Sequence, residues 1–435
     1  MSFSSPFPSP AHARPSHRWK VLSVGVAANA AFSAAAAGLP TTAIFMRAGY
    51  RLVNAELGLA LGLLGLGVAL FELPWGLLTD RFGDRPVLLT GLAATTAALA
   101  WMSGWAVPTD GAVPSLWLLA AGLMLVGVLG GSVNGASGRA VMAWFDEGER
   151  GLAMSIRQTA VPLGGGLGAL ALPWLAAHAG FGAVYGVLAL MCGTAALLGA
   201  CWLRDPGQPR GVAPQCPSAS SPLRDPGVWR AALAIGIMCS PQFAILTFAT
   251  VFLNDYIHAS LGVLTAVMVV VQLGAMVARI ASGRWTDRRG NRRAYLRACA
   301  ALSFVLYAAL ALAAWTVRAA PDTAGAVFAT AALLTAAGVC ASAWHGVAYT
   351  ELATQAGAAR AGTALGMANS CVYLGLFLTP LAIPHIVAAS SWPAAWLVAG
   401  ACMLAALPLL PRANPKPAMA GSRSGIPCAA TPEKP

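Results

Sequence analysis

Apolar residues run along this chain in long unbroken blocks separated by short polar connections. They neither alternate, as in a half-buried strand, nor recur on a single helical stripe. A helix needs about 20 apolar residues to cross the hydrocarbon core of a bilayer. Twelve blocks meet that length: 20–44, 55–78, 86–107, 114–138, 152–178, 181–203, 228–252, 260–282, 294–317, 324–348, 362–388 and 392–411. They are rich in Ala, Leu and Gly, and too long for the short alternating strands of a membrane barrel. The pattern predicts an all-α membrane protein with twelve transmembrane helices.

The polar stretches divide the chain further. Residues 1–17 are Ser/Pro-rich and read as a disordered N-terminus, and 412–435 read as a disordered Pro-rich tail. Between the two sets of six spans lies 204–227, with Arg204, Asp205, several Pro and a Ser-rich run at 218–221. It reads as a flexible linker joining an N-terminal six-helix unit (18–203) to a C-terminal one (228–411). Ala34–Ala36 resembles a signal-peptide cleavage site, but the apolar stretch around it exceeds an h-region and reads as the first span.

Composition sharpens the picture. Hydrophobic residues make up 58% of the 435 and charged residues only 10%. A soluble domain carries about 25% charge, so lipid must solvate this surface. The formal net charge is +12, yet the basic residues sit in short clusters between apolar blocks, which argues against nucleic-acid binding. Three basic residues fall within spans (Arg139, Arg157, Arg279) and three in the connections on one side (Arg47, Arg51, Arg318). The rest lie on the other side, which predicts that both termini are cytoplasmic. Arg far outnumbers Lys and Ala is abundant, the composition of a GC-rich bacterium, so the expected location is a bacterial inner membrane. The nine Cys form no C-x-x-C pair or zinc-like cluster and read as packing residues, with no metal site. There is no P-loop and no catalytic constellation, so neither enzyme activity nor a cofactor is expected.

One decapeptide pattern occurs twice. Gly76-Leu-Leu-Thr-Asp80-Arg81-Phe-Gly83-Asp84-Arg85 follows the second span, and Gly283-Arg-Trp-Thr-Asp287-Arg288-Arg-Gly290-Asn-Arg292 follows the eighth. Both read G-x-x-T-D-R-x-G-x-R at the same place in each half. The first Gly permits close helix approach. The Asp can compensate the positive N-terminus of a docking helix. The second Gly allows a tight turn. Together they form a conformational latch of the kind a two-state element requires.

With this repeat the chain resembles the major facilitator superfamily over its whole length. Asp84 departs from the family pattern, which usually has a basic residue there, and that puts the strength or the partner of the first latch in doubt. The run Arg157-Gln158-Thr-Ala160-Val-Pro162-Leu-Gly164-Gly165-Gly166-Leu-Gly168 in the fifth span is partly similar to a Gly/Pro-rich stretch associated with antiporting exporters, with Ala160 close to where a Gly is expected. The resemblance implies two bundles rocking around a midplane cavity. Spans one, four, seven and ten line it, with contributions from two, five, eight and eleven.

Each ionisable group inside a span costs about 2.5–3.5 kcal/mol on insertion scales and needs a reason. Arg279 precedes Gly283 by one helical turn, and Gln272 lies two turns further in on the same face. This donor-rich stripe suits a carboxylate or other oxyanion. Its placement is similar to the anion-binding Arg of monocarboxylate and oxalate transporters in the superfamily. A structural ion pair with an acid across the bundle is the other role open to it. Arg157 and Gln158 sit in the inner third of span five, where Arg157 either faces the cavity or snorkels to the cytoplasm. Glu72 and Arg139 are placed at similar depth, and an ion pair between them is the expected arrangement. The functional alternative makes Glu72 a proton carrier. By the repeat Glu72 occupies the position of Arg279, so pairing between those two is also open. His345 shares a face with Ser342 and Tyr349 and is a second candidate for proton coupling. Asn29 and Ser33 in span one, Asn134 in span four, Gln242 in span seven, and Asn369 with Tyr373 in span eleven are further cavity candidates.

The expected function is secondary transport of a small organic solute, with a carboxylate coupled to protons favoured. A multidrug efflux antiporter is the transport alternative, and a non-transporting membrane sensor is the alternative of another class. The expected partners are substrate, protons and lipid, around a monomer.

Overall fold

The structure is a computed structural model that describes residues 16–109, 111–204, 221–319 and 324–411. Most of the expected linker and both expected tails lie outside the described residues. Pro222–Arg224, at the end of that linker, forms a 3-10 turn leading into the seventh span.

Among the described residues, eleven helices are long and apolar enough to cross a membrane. They are His17–Thr42, Glu56–Phe82, Asp84–Trp105, Leu116–Trp144, Arg150–His178, Gly180–Trp202, Pro226–Tyr256, Gly262–Arg289, Arg292–Val317, Gly325–Ala356 and Ala361–Ala389. The twelfth, Trp392–Ala406, is shorter than the expected 392–411. Pro408 lacks the N–H that would bond the Leu404 carbonyl four residues back, and the chain turns there instead.

The buried residues fall into two main cores. One draws on Val21 to Leu203, the other chiefly on Val228 to Leu410. Met142 and Met154 of the first half join the second core, which marks where the bundles meet. Outside, large apolar side chains such as Leu170, Leu197, Val277 and Phe328 face outward, as lipid contact requires. Two tryptophan belts bracket them. Trp105, Trp117, Trp174 and Trp315 are exposed at one end, and Trp19, Trp202, Trp229 and Trp285 at the end carrying the two decapeptides. Such belts mark the two membrane–water interfaces.

Several spans are interrupted, and the interruptions shape the site. The fifth breaks at Thr159 into Arg150–Gln158 and Ala160–His178. The tenth breaks at Ala343–Trp344 into Ala324–Ser342 and His345–Ala356. The two pieces of span five pack differently. Ala160–His178 lies on span one in its own half, and Arg150–Gln158 lies on spans eight and ten of the other half. The Gly-rich run of span five serves the first contact. A Cβ at Gly164 would meet the Ala30 carbonyl oxygen at 2.1 Å.

Candidate functional site

The two decapeptides each grip the opposite bundle. Asp80 accepts from the Gly362 and Thr363 backbone N–H groups at 2.9 and 2.7 Å, at the start of span eleven. Asp287 accepts from Gly151 and Leu152 N–H at 3.1 and 2.7 Å, at the start of span five. Each carboxylate meets orphan donors on the positive end of a helix from the other half. The glycines allow this approach: a Cβ at Gly76 would meet the Gly362 oxygen at 2.4 Å, and one at Gly283 the Gly151 oxygen at 2.4 Å. The decapeptide end of the molecule is therefore closed. Gly83 and Gly290 turn the chain at φ of 94° and 61°. Arg292 bonds Asp287 at 3.0 Å and reaches the Glu147 carbonyl of the other half at 2.7 Å. The other signature arginines stay within their own half: Arg81 lies over Phe82, Arg85 donates to the Ala200 carbonyl, and Arg288 is exposed.

The expected Glu72–Arg139 pair does not form. Arg139 turns to the decapeptide end, bonds Asp84 at 2.8 Å, and lies 3.4 Å from Asp80. Span four ends at Trp144, so Arg139 is little more than a turn from the helix end, and its long side chain covers the rest. Asp84, the departure from the family pattern, is thus the partner of an intramembrane arginine.

Glu72 is fully buried among neutral donors instead. Asn134 donates to Oε1, and Asn369 of the other half donates to Oε2 at 3.3 Å. Tyr349 in turn donates to Asn369 Oδ1 at 2.6 Å. Arg157, 2% exposed, does not snorkel. It donates to Ser137 Oγ at 3.0 Å, to the Asn134 carbonyl at 2.7 Å and to Asn29 Oδ1 at 3.3 Å. Asn134 therefore stands between Glu72 and Arg157, bonded to both.

Arg279, 1% exposed, does not pair with Glu72. Nε donates to the Ser342 carbonyl at 3.0 Å and Nη1 to the Gln158 carbonyl at 2.6 Å. Both acceptors are exposed by helix breaks. Pro162 has no N–H to return to Gln158 four residues back, and Ser342 is the last residue before the break in span ten. Among the described residues no carboxylate is ion-paired with Arg157 or Arg279. His345 shares the Ser342 carbonyl at 3.1 Å, lies 3.7 Å from Cys239 Sγ and stacks on Trp344.

The structure thus brings together Asn29, Glu72, Arg157, Gln158, Arg279, His345 and Asn369. Gln272 is half-buried, and no hydrogen bond ties it to Arg279 among the described residues. Gln242 is buried with its Oε1 unpartnered among the described residues. Ser137 escaped the sequence reading, although its spacing of three from Asn134 puts both on one face of span four.

The contacts have an internal symmetry. Gln158 and Asn369 each lie seven residues after the first residue capped by the opposing Asp, Gly151 and Gly362. Glu72 and Arg279 each lie four before a signature Gly. So the acid of one half holds span eleven, and the base of the other holds the matching position of span five.

A family model described as Major Facilitator Superfamily matches residues 22–334 and 243–432. An uncharacterized MFS-type transporter of Mycobacterium tuberculosis is 33% identical over 350 residues, covering 80% of this chain and 74% of that protein. Among solved structures, a bacterial homologue of the iron transporter ferroportin, in an outward-facing state, superposes with a TM-score of 0.71 at 11% identity, covering 90% of this chain and 98% of that one. The proton:xylose symporter XylE follows at 0.69 and 15% identity, covering 90% and 94%.

Proposed function

Because this chain belongs to the Major Facilitator Superfamily, we propose that it carries a small organic anion, a carboxylate by preference, together with protons across a bacterial inner membrane. The decapeptide end is then the cytoplasmic face, where most basic residues cluster, and the closed state described is outward-facing.

One observation carries the reading. Two buried arginines, one per half, donate to neutral acceptors only. A guanidinium in so dry a place favours an anion that satisfies its charge. A carboxylate arriving at Arg279 competes for the donors now given to Gln158 and Ser342. Losing the Gln158 contact loosens the grip on span five. Proton uptake at Glu72 removes the charge that holds Asn369, and loosens the matching grip on span eleven. Substrate and proton thus act on equivalent contacts of one interface, which couples their movement.

A second reading has its own support. Glu72 is not consumed by Arg139, so an acid remains for a lipophilic cation, as a multidrug antiporter requires.

Proteoliposomes enclosing a pH-sensitive dye separate these. External carboxylate should drive protons inward with the wild type, and Glu72→Gln should exchange labelled carboxylate without moving protons. Proton efflux driven by lipophilic cations, with no response to carboxylates, would overturn the anion reading.

A further inference from the structure

The transport scheme leaves one cluster of nucleophiles unused. Where span nine packs on span ten, Cys299 and Cys340 face each other with 4.0 Å between their sulfurs. Ser303, one helical turn beyond Cys299, donates to Cys340 Sγ at 3.3 Å. Cys299 also donates through sulfur to the Cys340 carbonyl at 3.4 Å. Cys299 is buried and Cys340 is half-buried. Of the cysteines described, only these two have their thiols in contact.

The spacing suits a bridging atom. A thiolate holds a borderline or soft ion at about 2.3 Å, and two such bonds spanning this gap open at about 120°. That is the angle of a planar three-coordinate metal centre; a trivalent arsenic is pyramidal and takes the pair by drawing the sulfurs closer, and the Ser303 hydroxyl lies 3.3 Å from Cys340 Sγ. Hard cations call for several oxygen ligands, which this pair lacks, whereas paired thiolates select soft centres. Cys299 lies in the buried apolar core of the second half and Cys340 packs against it, which favours a centre of low net charge.

We propose that Cys299 and Cys340 form a two-thiolate site for a soft, thiophilic centre, either a monovalent d10 metal ion or an organic trivalent arsenical. With an arsenical oxide, two S–As bonds form, the As–O bond breaks, and the oxygen leaves as water with the two thiol protons. No oxidation state changes. The site lies next to the gate: the Cys340 carbonyl accepts from Ala343 N–H at 3.1 Å, in the last turn before the break that presents Ser342 to Arg279. A bridge between the sulfurs fastens span nine to that turn. The site stands apart from the substrate reading, and its test does not use transport.

The purified full-length protein is treated with phenylarsine oxide, washed with 2-mercaptoethanol and weighed by intact-mass spectrometry. One adduct resistant to the monothiol and released by 2,3-dimercaptopropanol is expected. Cys299→Ser and Cys340→Ser should each lose it, and Cys192→Ala and Cys371→Ala should keep it. In the wild type, peptide mapping should show that the arsenical shields Cys299 and Cys340 from N-ethylmaleimide, a readout that survives a misfolded variant. Stoichiometric silver(I) added first should prevent the adduct. A resistant adduct that persists in both Ser variants, shielding at other cysteines alone, no adduct, or no competition by silver would overturn the proposal.

Discussion

At the scale of single residues, the central question is what a buried arginine does when no acid accompanies it. Arg279 donates to two carbonyls that helix breaks have left without a backbone N–H partner. If its role were structural, replacing it by an apolar side chain of similar length would be costly. Removing an uncompensated buried charge offsets the loss of those charge-assisted hydrogen bonds, each about 1.5–3 kcal/mol. Arg279→Met should therefore change stability by less than about 2 kcal/mol in thermal unfolding, while transport falls about tenfold or more. A variant that unfolds or stays active contradicts the reading. Glu72 gives a second test. Wild-type carboxylate uptake should fall as external pH rises, since each cycle needs a proton. Glu72→Gln should flatten that profile over the same range in an uptake assay.

Not all of this was legible in the sequence. Both decapeptides stood out, because residues, spacing and position in each half all repeated. Arg157 and Arg279 stood out through the cost of charge in lipid. The partner of Arg139 did not. Depth counted along two helices says where Cα atoms lie, but an arginine side chain reaches a further turn. The meeting of Cys299 with Cys340, 41 residues apart, depends on the relative rotation of spans nine and ten, which periodicity leaves open.

At the scale of elements, interrupted helices act as adaptors between the bundles. Span five belongs to one half along its outer piece and docks on the other along its inner piece. Pro162 makes this adaptor work by leaving the Gln158 carbonyl free. Pro162→Ala restores a donor that competes with Arg279, and should weaken closure by about 1 kcal/mol. Spin labels at Phe82 and Arg289, both exposed at the decapeptide end, should then report a larger share of long distances. An unchanged distribution would show that the freed carbonyl contributes nothing to closure. The twelve apolar blocks foretold these spans, since length alone specifies a crossing. Pro162 marks the break in span five, whereas the break in span ten was less visible, because Ala343 and Trp344 carry no strong helix-breaking signal of their own.

At the scale of the whole molecule, two pseudo-symmetric halves close one end through matched contacts. Asp80 and Asp287 cap helices across the interface, and Glu72 and Arg279 repeat the crossing deeper in. Charge-assisted hydrogen bonds of this kind contribute about 1.5–3 kcal/mol each. Combining Asp80→Asn with Asp287→Asn should therefore shift the spin-label distances toward the open form more than either change alone. Equal behaviour of the double and single variants would mean that the two caps do not share one closing motion.

The central claim is that this closed core receives an anion at Arg279. The most direct measurement is thermal stability of the detergent-purified protein across carboxylates, inorganic oxyanions and lipophilic cations, for the wild type and for Arg279→Met. A ligand at 100 times its dissociation constant stabilises by about 2.7 kcal/mol. The account predicts stabilisation of the wild type by one class of carboxylate and none of the variant. Stabilisation by cations, or by carboxylates equally in both proteins, would contradict it.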